Sequence, residues 1–83
     1  MTGEPSRKSK IDKIIMNNSY VLFFLISDTE EFKRVTIALM KAGINSFVTV
    51  PVDENVEIRL GVKEFSGQEN FPQFYNNGEL QTI

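Results

Sequence analysis

The sequence predicts one α/β domain, with helices and strands in the order α-β-α-β-α-β-β around a four-stranded mixed sheet. Three observations predict it. A continuous apolar run, Tyr20 to Ile26 (YVLFFLI), has the length and the β-branched and aromatic content of a central strand covered on both faces. Two later segments carry apolar residues at helical spacing: Phe32, Val35, Ala38, Leu39 and Ala42 in one, Ile58, Val62 and Phe65 in the other. Asn76-Asn77-Gly78 then separates two short strand-like segments as a hairpin turn does.

Taken in order, residues 1–9 (MTGEPSRKS) are polar and are expected to be a disordered tail, with the domain spanning 10–83. Ile11, Ile14 and Ile15 give the apolar face of a short helix with Ser9 as its N-cap, ended by the turn Asn17-Asn18-Ser19. That tripeptide also matches a glycosylation sequon, which matters only in a secreted protein. After the first strand, Ser27 and Asp28 break the run. Asp28 and Glu31 have capping-box spacing: Asp28 accepts from the Glu31 amide and Glu31 reaches back. Gly43 is placed to close that helix.

Phe47 to Val52 is the second strand, and Pro51, lacking an N–H, belongs on an edge or near the strand end. Asp53-Glu54-Asn55 turns into a third helix. Gly61 inside it costs about 1 kcal/mol against alanine and points to close approach of a neighbour. Residues 66–70 (SGQEN) form a loop, Phe71 to Tyr75 a strand, and Glu79-Leu80 opens its return. A right-handed βαβ crossover makes the first two strands parallel. The last two pair antiparallel, with helices on both faces.

Composition narrows the chemistry. The 83 residues suit one small domain of modest stability. There is no cysteine and no histidine. A thiol nucleophile, a disulfide, a thiolate-held iron–sulfur cluster and a thiolate zinc site are excluded, as is the usual general base near neutral pH. No metal ligand set is expected. The net charge of −2 gives no pull toward nucleic acid, and the aromatics Phe65, Phe71, Phe74 and Tyr75 have too few basic neighbours for base stacking. Arg7, Lys8, Lys10 and Lys13 cluster near the start and read as a solvated tail, with an acidic partner or a phosphate as the alternative. Adjacent acids such as Glu30-Glu31 and Asp53-Glu54 point apart, so they suit capping and turns rather than paired acid–base catalysis. No run is long enough to span a membrane and no secretory signal is visible, so a cytoplasmic protein is expected.

The topology suggests a thioredoxin-like fold, and the stretch Glu57 to Leu80 (EIRLGVKEFSGQENFPQFYNNGEL) makes it more specific. Arg59, Gly61, Lys63, Ser66, Pro72, Gln73, Tyr75, Gly78, Glu79 and Leu80 stand in register with E-[VL]-R-Q-G-[LI]-K-x-Y-S-x-W-P-T-[FY]-P-Q-[LV]-Y-x-x-G-E-L. This resembles the monothiol glutaredoxins, the class with a CGFS active site. The resemblance implies a cis Phe71-Pro72 bond, whose preceding backbone faces the cysteinyl moiety of glutathione in the family. Such a strand edge binds an extended peptide by main-chain hydrogen bonds and needs no thiol.

The departures are substantial. Where the family has K-G-T-P and then C-G-F-S, this chain reads Ser27-Asp28-Thr29-Glu30-Glu31-Phe32, shorter, without the lysine and without the cysteine. Acids stand at a helix end that favours anions in an active enzyme. Gln68-Glu69-Asn70 replaces W-P-T. The G-G-x-D segment that grips the glutamyl end of glutathione is absent, and the C-terminal helix is expected to be missing.

The resemblance therefore implies a redox-inactive glutaredoxin-like domain that is not an enzyme. It is expected to act as a protein-interaction or structural module through the cis-proline edge and the first-strand loop. The site residues it implies are Ser27, Asp28, Thr29, Arg59, Asn70, Phe71 and Pro72, with no catalytic residue. An arginine such as Arg59 is more often a surface helix residue, and Pro72 is needed for the fold whether or not anything binds. An unidentified protein partner, basic or amide-rich, is expected, with no nucleic acid, no membrane and a monomeric state. No cofactor is expected, and glutathione binds weakly at most. The alternative is a residual glutathione-binding or redox-accessory protein related to the monothiol glutaredoxins. A third possibility is an engineered or minimised domain.

Overall fold

The computed structural model describes residues 7–81. The elements are α1 (Arg7–Met16), β1 (Tyr20–Phe24), α2 (Thr29–Lys41), β2 (Val48–Pro51), α3 (Val56–Ser66), β3 (Gln73–Asn76) and β4 (Glu79–Gln81). Their order is the expected one. The sheet runs β2-β1-β3-β4, with β1 parallel to β2 and antiparallel to β3, and β3 antiparallel to β4.

The sheet separates two apolar clusters, which is why β1 has no polar alternation. Val21 and Phe23 face one side with Ile11 and Ile15 of α1, Val62 of α3, Val52 and Tyr75. Leu22 faces the other with Val35 and Leu39 of α2 and Phe74. Alternate residues of one strand thus fill two cores. The result is three layers, with α1 and α3 on one face and α2 on the other. Gly61 is buried at the α1–α3 contact: a β-carbon there would stand 2.8 Å from Ile11 Cγ1 and 2.9 Å from the Arg7 carbonyl oxygen.

Local signals map onto the elements closely. Pro51 ends β2, an edge strand, so its missing N–H is harmless on both counts. Asp28 caps α2, its Oδ1 accepting from the Glu31 amide at 3.3 Å. Gly43 follows the α2 C-cap Ala42 with φ 87°. Asn77 (φ 51°) and Gly78 (φ 87°) are the two left-handed residues a tight hairpin requires.

Several expectations are corrected. The α1 helix already includes Arg7, so Ser9 lies inside it and does not cap it; the rest of the expected tail, residues 1–6, lies outside the described residues. Arg7 does not belong to a solvated tail: it pairs with Glu57 at 2.6 Å and Glu64 at 3.1 Å, tying α1 to α3. The capping box is one-sided, because Glu31 forms a two-pronged pair with Arg34, both contacts at 2.9 Å, instead of reaching back. The β1 strand stops at Phe24, and Leu25 to Asp28 turn back through an Asp28 N–H to Leu25 carbonyl bond of 3.1 Å. The β2 strand spans Val48–Pro51, not 47–52. The third strand starts at Gln73, since Phe71 and Pro72 form the bend that enters it. Ala42, expected in the apolar stripe of α2, is exposed: it is the C-cap that follows the helix, which ends at Lys41. Among the described residues, no helix is long and apolar enough to cross a membrane.

Candidate functional site

Sheet register gathers the sequence-predicted residues at one end of the molecule. Phe23 pairs with Gln73 and Phe24 with Pro51. The loop that leaves β1, the segment that leaves β2 and the segment that enters β3 therefore emerge together. These carry, respectively, Ser27-Asp28-Thr29, Asp53, and Asn70-Phe71-Pro72.

The segment entering β3 is held from inside. The Phe71-Pro72 peptide is cis. Phe71 is half-buried and packs against the α1–α3 core. Gln73, only 2% exposed, is the anchor. Its Nε2 donates to the carbonyl oxygens of Gln68 (3.2 Å) and Asn70 (3.1 Å), while its Oε1 accepts from the Tyr75 hydroxyl at 2.8 Å. A buried amide with every polar atom engaged fixes the loop ahead of the proline. Burial pushes the Tyr75 phenol above its ordinary range, partly offset by the Ser66 hydroxyl.

Arg59 lies on the exposed side of α3, beyond the helix start capped by Asn55, whose side chain accepts from the Glu57 and Ile58 amides. With Leu60, Lys63, Glu69 and Phe71 it lines a small recess of about 30 Å³. Lys63 is engaged by Glu69 at 3.1 Å. No ion pair among the described residues engages Arg59, so it supplies the recess with an available guanidinium. Ser27, Asp28 and Thr29 do not line this recess. The structure brings Arg59 and Phe71 into one surface, and the β1–α2 loop stands apart from that recess at the same end of the sheet.

That loop is held by a residue the sequence reading treated only as a turn former. Asp53 accepts from the Ile26 N–H through Oδ1 at 2.9 Å and from the Ser27 N–H through Oδ2 at 3.0 Å. These two backbone donors, Ile26 first, hold the Asp53 carboxyl below its usual range. Gln73 was visible as part of the matched motif, but its anchoring role depends on the loop folding over it. Asp53 carried no local signal, because its partners lie 26 and 27 residues away.

Two larger recesses, of about 400 and 230 Å³, lie at the opposite end of the sheet, around Asn18 and Ser19. They are open and lined by uncharged residues, and none of Ser27, Asp28, Thr29, Arg59, Asn70, Phe71 and Pro72 lines them. Size favours them, but the fixed backbone and the available cation are at the other end.

Comparison with known proteins agrees with the geometry. The model of the family described as Glutaredoxin matches residues 33–81. The chain is 31% identical over 84 aligned positions to Monothiol glutaredoxin-S17 of Arabidopsis thaliana, covering 96% of this chain and 17% of that protein. It is 34% identical over 80 positions to the uncharacterized monothiol glutaredoxin ycf64-like of Synechocystis, covering 92% of this chain and 74% of that one. The chain thus spans about a sixth of the first relative and three quarters of the second. Among solved structures, the buckwheat glutaredoxin–glutathione complex superposes with a TM-score of 0.75 at 18% identity, over 89% of this chain and 68% of that one. At that identity the likeness speaks for the fold.

Proposed function

The chain belongs to the glutaredoxin family, and from that membership we propose that it is a redox-inactive member, not an enzyme, acting as a protein-interaction or structural module. The observation that carries this reading is the cis Phe71-Pro72 segment, rigidly anchored by buried Gln73, in a chain with no cysteine. The peptide-binding edge is retained while the nucleophile is not. An extended partner segment would pair with the backbone around Asn70 and Phe71 and place a polar or acidic side chain against Arg59. The acidic wall formed by Asp28 and Glu30 would favour basic or amide groups further along the same segment. A monomer in the cytoplasm is part of this reading.

A second reading keeps weak glutathione binding for an accessory role. The observation in its favour is the shared recess of Arg59 and Phe71, together with the glutathione named in the buckwheat complex.

Reduced glutathione titrated into the protein, followed by amide NMR, separates the two. The interaction reading expects no saturable shift at Arg59 or Phe71, and it expects partner capture that is lost in the Phe71→Ala and Arg59→Glu variants. Saturation at those amides in the millimolar range supports the accessory reading. Thiol transfer above the uncatalysed rate overturns both.

A further inference from the structure

The backbone donors at the mouth of the site are nearly all engaged by the chain itself. Ile26 and Ser27 donate to the two oxygens of Asp53. Asp28 N–H donates to the Leu25 carbonyl, Glu31 N–H to the Asp28 carboxylate, and Phe32 N–H to the Asp28 carbonyl. Between Ile26 and Phe32, only the Thr29 and Glu30 amides of the first helical turn have no acceptor among the described residues.

Two consecutive N–H groups converging on one carboxylate are an anion-binding arrangement of the peptide chain, with the charge-assisted geometry that makes such bonds strong. Here the anion is internal. It comes from the segment just after β2, which the parallel β1–β2 register brings beside the loop leaving β1. Val52 anchors that segment: it is fully buried, and its N–H donates to the Phe24 carbonyl at 2.9 Å. Asp53 is therefore delivered to the two amides by fixed backbone on either side.

We infer that Asp53 is a specificity-determining residue that occupies the Ile26–Ser27 amide pair as an internal ligand and excludes external carboxylates from that pair, leaving Arg59 as the place where an acidic side chain of a partner is received. This deepens the proposed interaction site and rests on that reading of which end is used. An incoming carboxylate finds the Ile26–Ser27 pair filled; the two amides left open, Thr29 and Glu30, stand between the acids Asp28, Glu30 and Glu31 at the start of α2. A neutral or cationic segment meets no such barrier. Discrimination against carboxylates at the β1–α2 loop then resides in a side chain outside the stretch that the family's cysteine motif would occupy.

The test uses sodium acetate as the probe, with chloride at equal ionic strength as the control, and reads the Ile26 and Ser27 amide resonances. In the native protein these two should not respond to acetate. In Asp53→Ala they should shift saturably, with half-saturation at least roughly tenfold below any response of the native protein. Asp53→Asn, which keeps the shape and one acceptor oxygen, should give a smaller response and serves if the alanine variant fails to fold. Saturable acetate shifts at Ile26 and Ser27 in the native protein overturn the inference, as does a folded variant whose two amides stay silent. Partner capture by the native protein is scored separately. If capture fails while Asp53→Ala gains acetate binding, the interaction reading falls and the inference stands; the reverse pattern removes the inference alone.

Discussion

Gly61 and Gln73 each do work at the scale of a single side chain that no other residue at their position would do. A methyl group at Gly61 would press on the Arg7 carbonyl, which is backbone and moves only if α1 moves. Alanine gains about 1 kcal/mol in helix propensity there, but overpacking against fixed backbone costs more. Gly61→Ala should therefore destabilise the fold by about 1 to 2 kcal/mol, measured by urea denaturation. Gln73→Leu removes three hydrogen bonds from the β3 entry. The expected loss is about 1 to 3 kcal/mol, together with faster hydrogen exchange in residues 68–71, which a purely apolar core change would not produce.

Connections between elements depend on two aspartates with different jobs. Asp28 caps α2, and Asp28→Ala should cost about 1 kcal/mol, seen as a lower midpoint with an unchanged denaturant slope. Asp53 joins the segment after β2 to the loop after β1. Its carboxyl is held below the unfolded-state value by the Ile26 and Ser27 amides, so on acidification the unfolded chain takes up this proton first. The contribution of the clamp is present above the unfolded pKa and is lost as pH falls through the lower folded value. An acid titration should show the Ile26 and Ser27 amide resonances moving together, below the ordinary aspartate range. Movement within the ordinary range would mean that the clamp does not hold in solution.

For the molecule as a whole, the missing thiol is one of several features at the same end of the sheet that bear on its chemistry. Acids surround the start of α2, and Asp53 fills the adjacent amides. Placing a cysteine at the first residue of α2, as Thr29→Cys, should therefore not create a glutaredoxin. The helix end lowers a thiol pKa, while Asp28, Glu30 and Glu31 oppose it. The expected result is ionisation near the ordinary thiol range and no thiol transfer above the uncatalysed rate. Pairing Thr29→Cys with Asp53→Ala asks whether an opened amide pair restores any activity.

The sequence by itself determined the element order, the buried first strand, the edge or strand-end position of Pro51, the close approach at Gly61 and the hairpin at Asn77-Gly78; the cis bond before Pro72 came from the resemblance to the monothiol glutaredoxins. The first group is written in short windows, because a turn, a cap or an apolar period acts on its neighbours in the chain. Element ends were less legible. Arg7 joined a helix because Glu57 and Glu64, fifty and more residues away, receive it, and Glu31 turned to Arg34 rather than back to its cap. Tertiary structure alone decided how the site is held. It set Gln73 under the loop of residues 68–70, separated Arg59 and Phe71 from the Ser27–Thr29 wall, and delivered Asp53 to the amides of Ile26 and Ser27. Those contacts join residues that become neighbours only when strands far apart in sequence settle into register. The missing cysteine was plain in the sequence. The carboxylate of Asp53 on the amides of Ile26 and Ser27 required the fold.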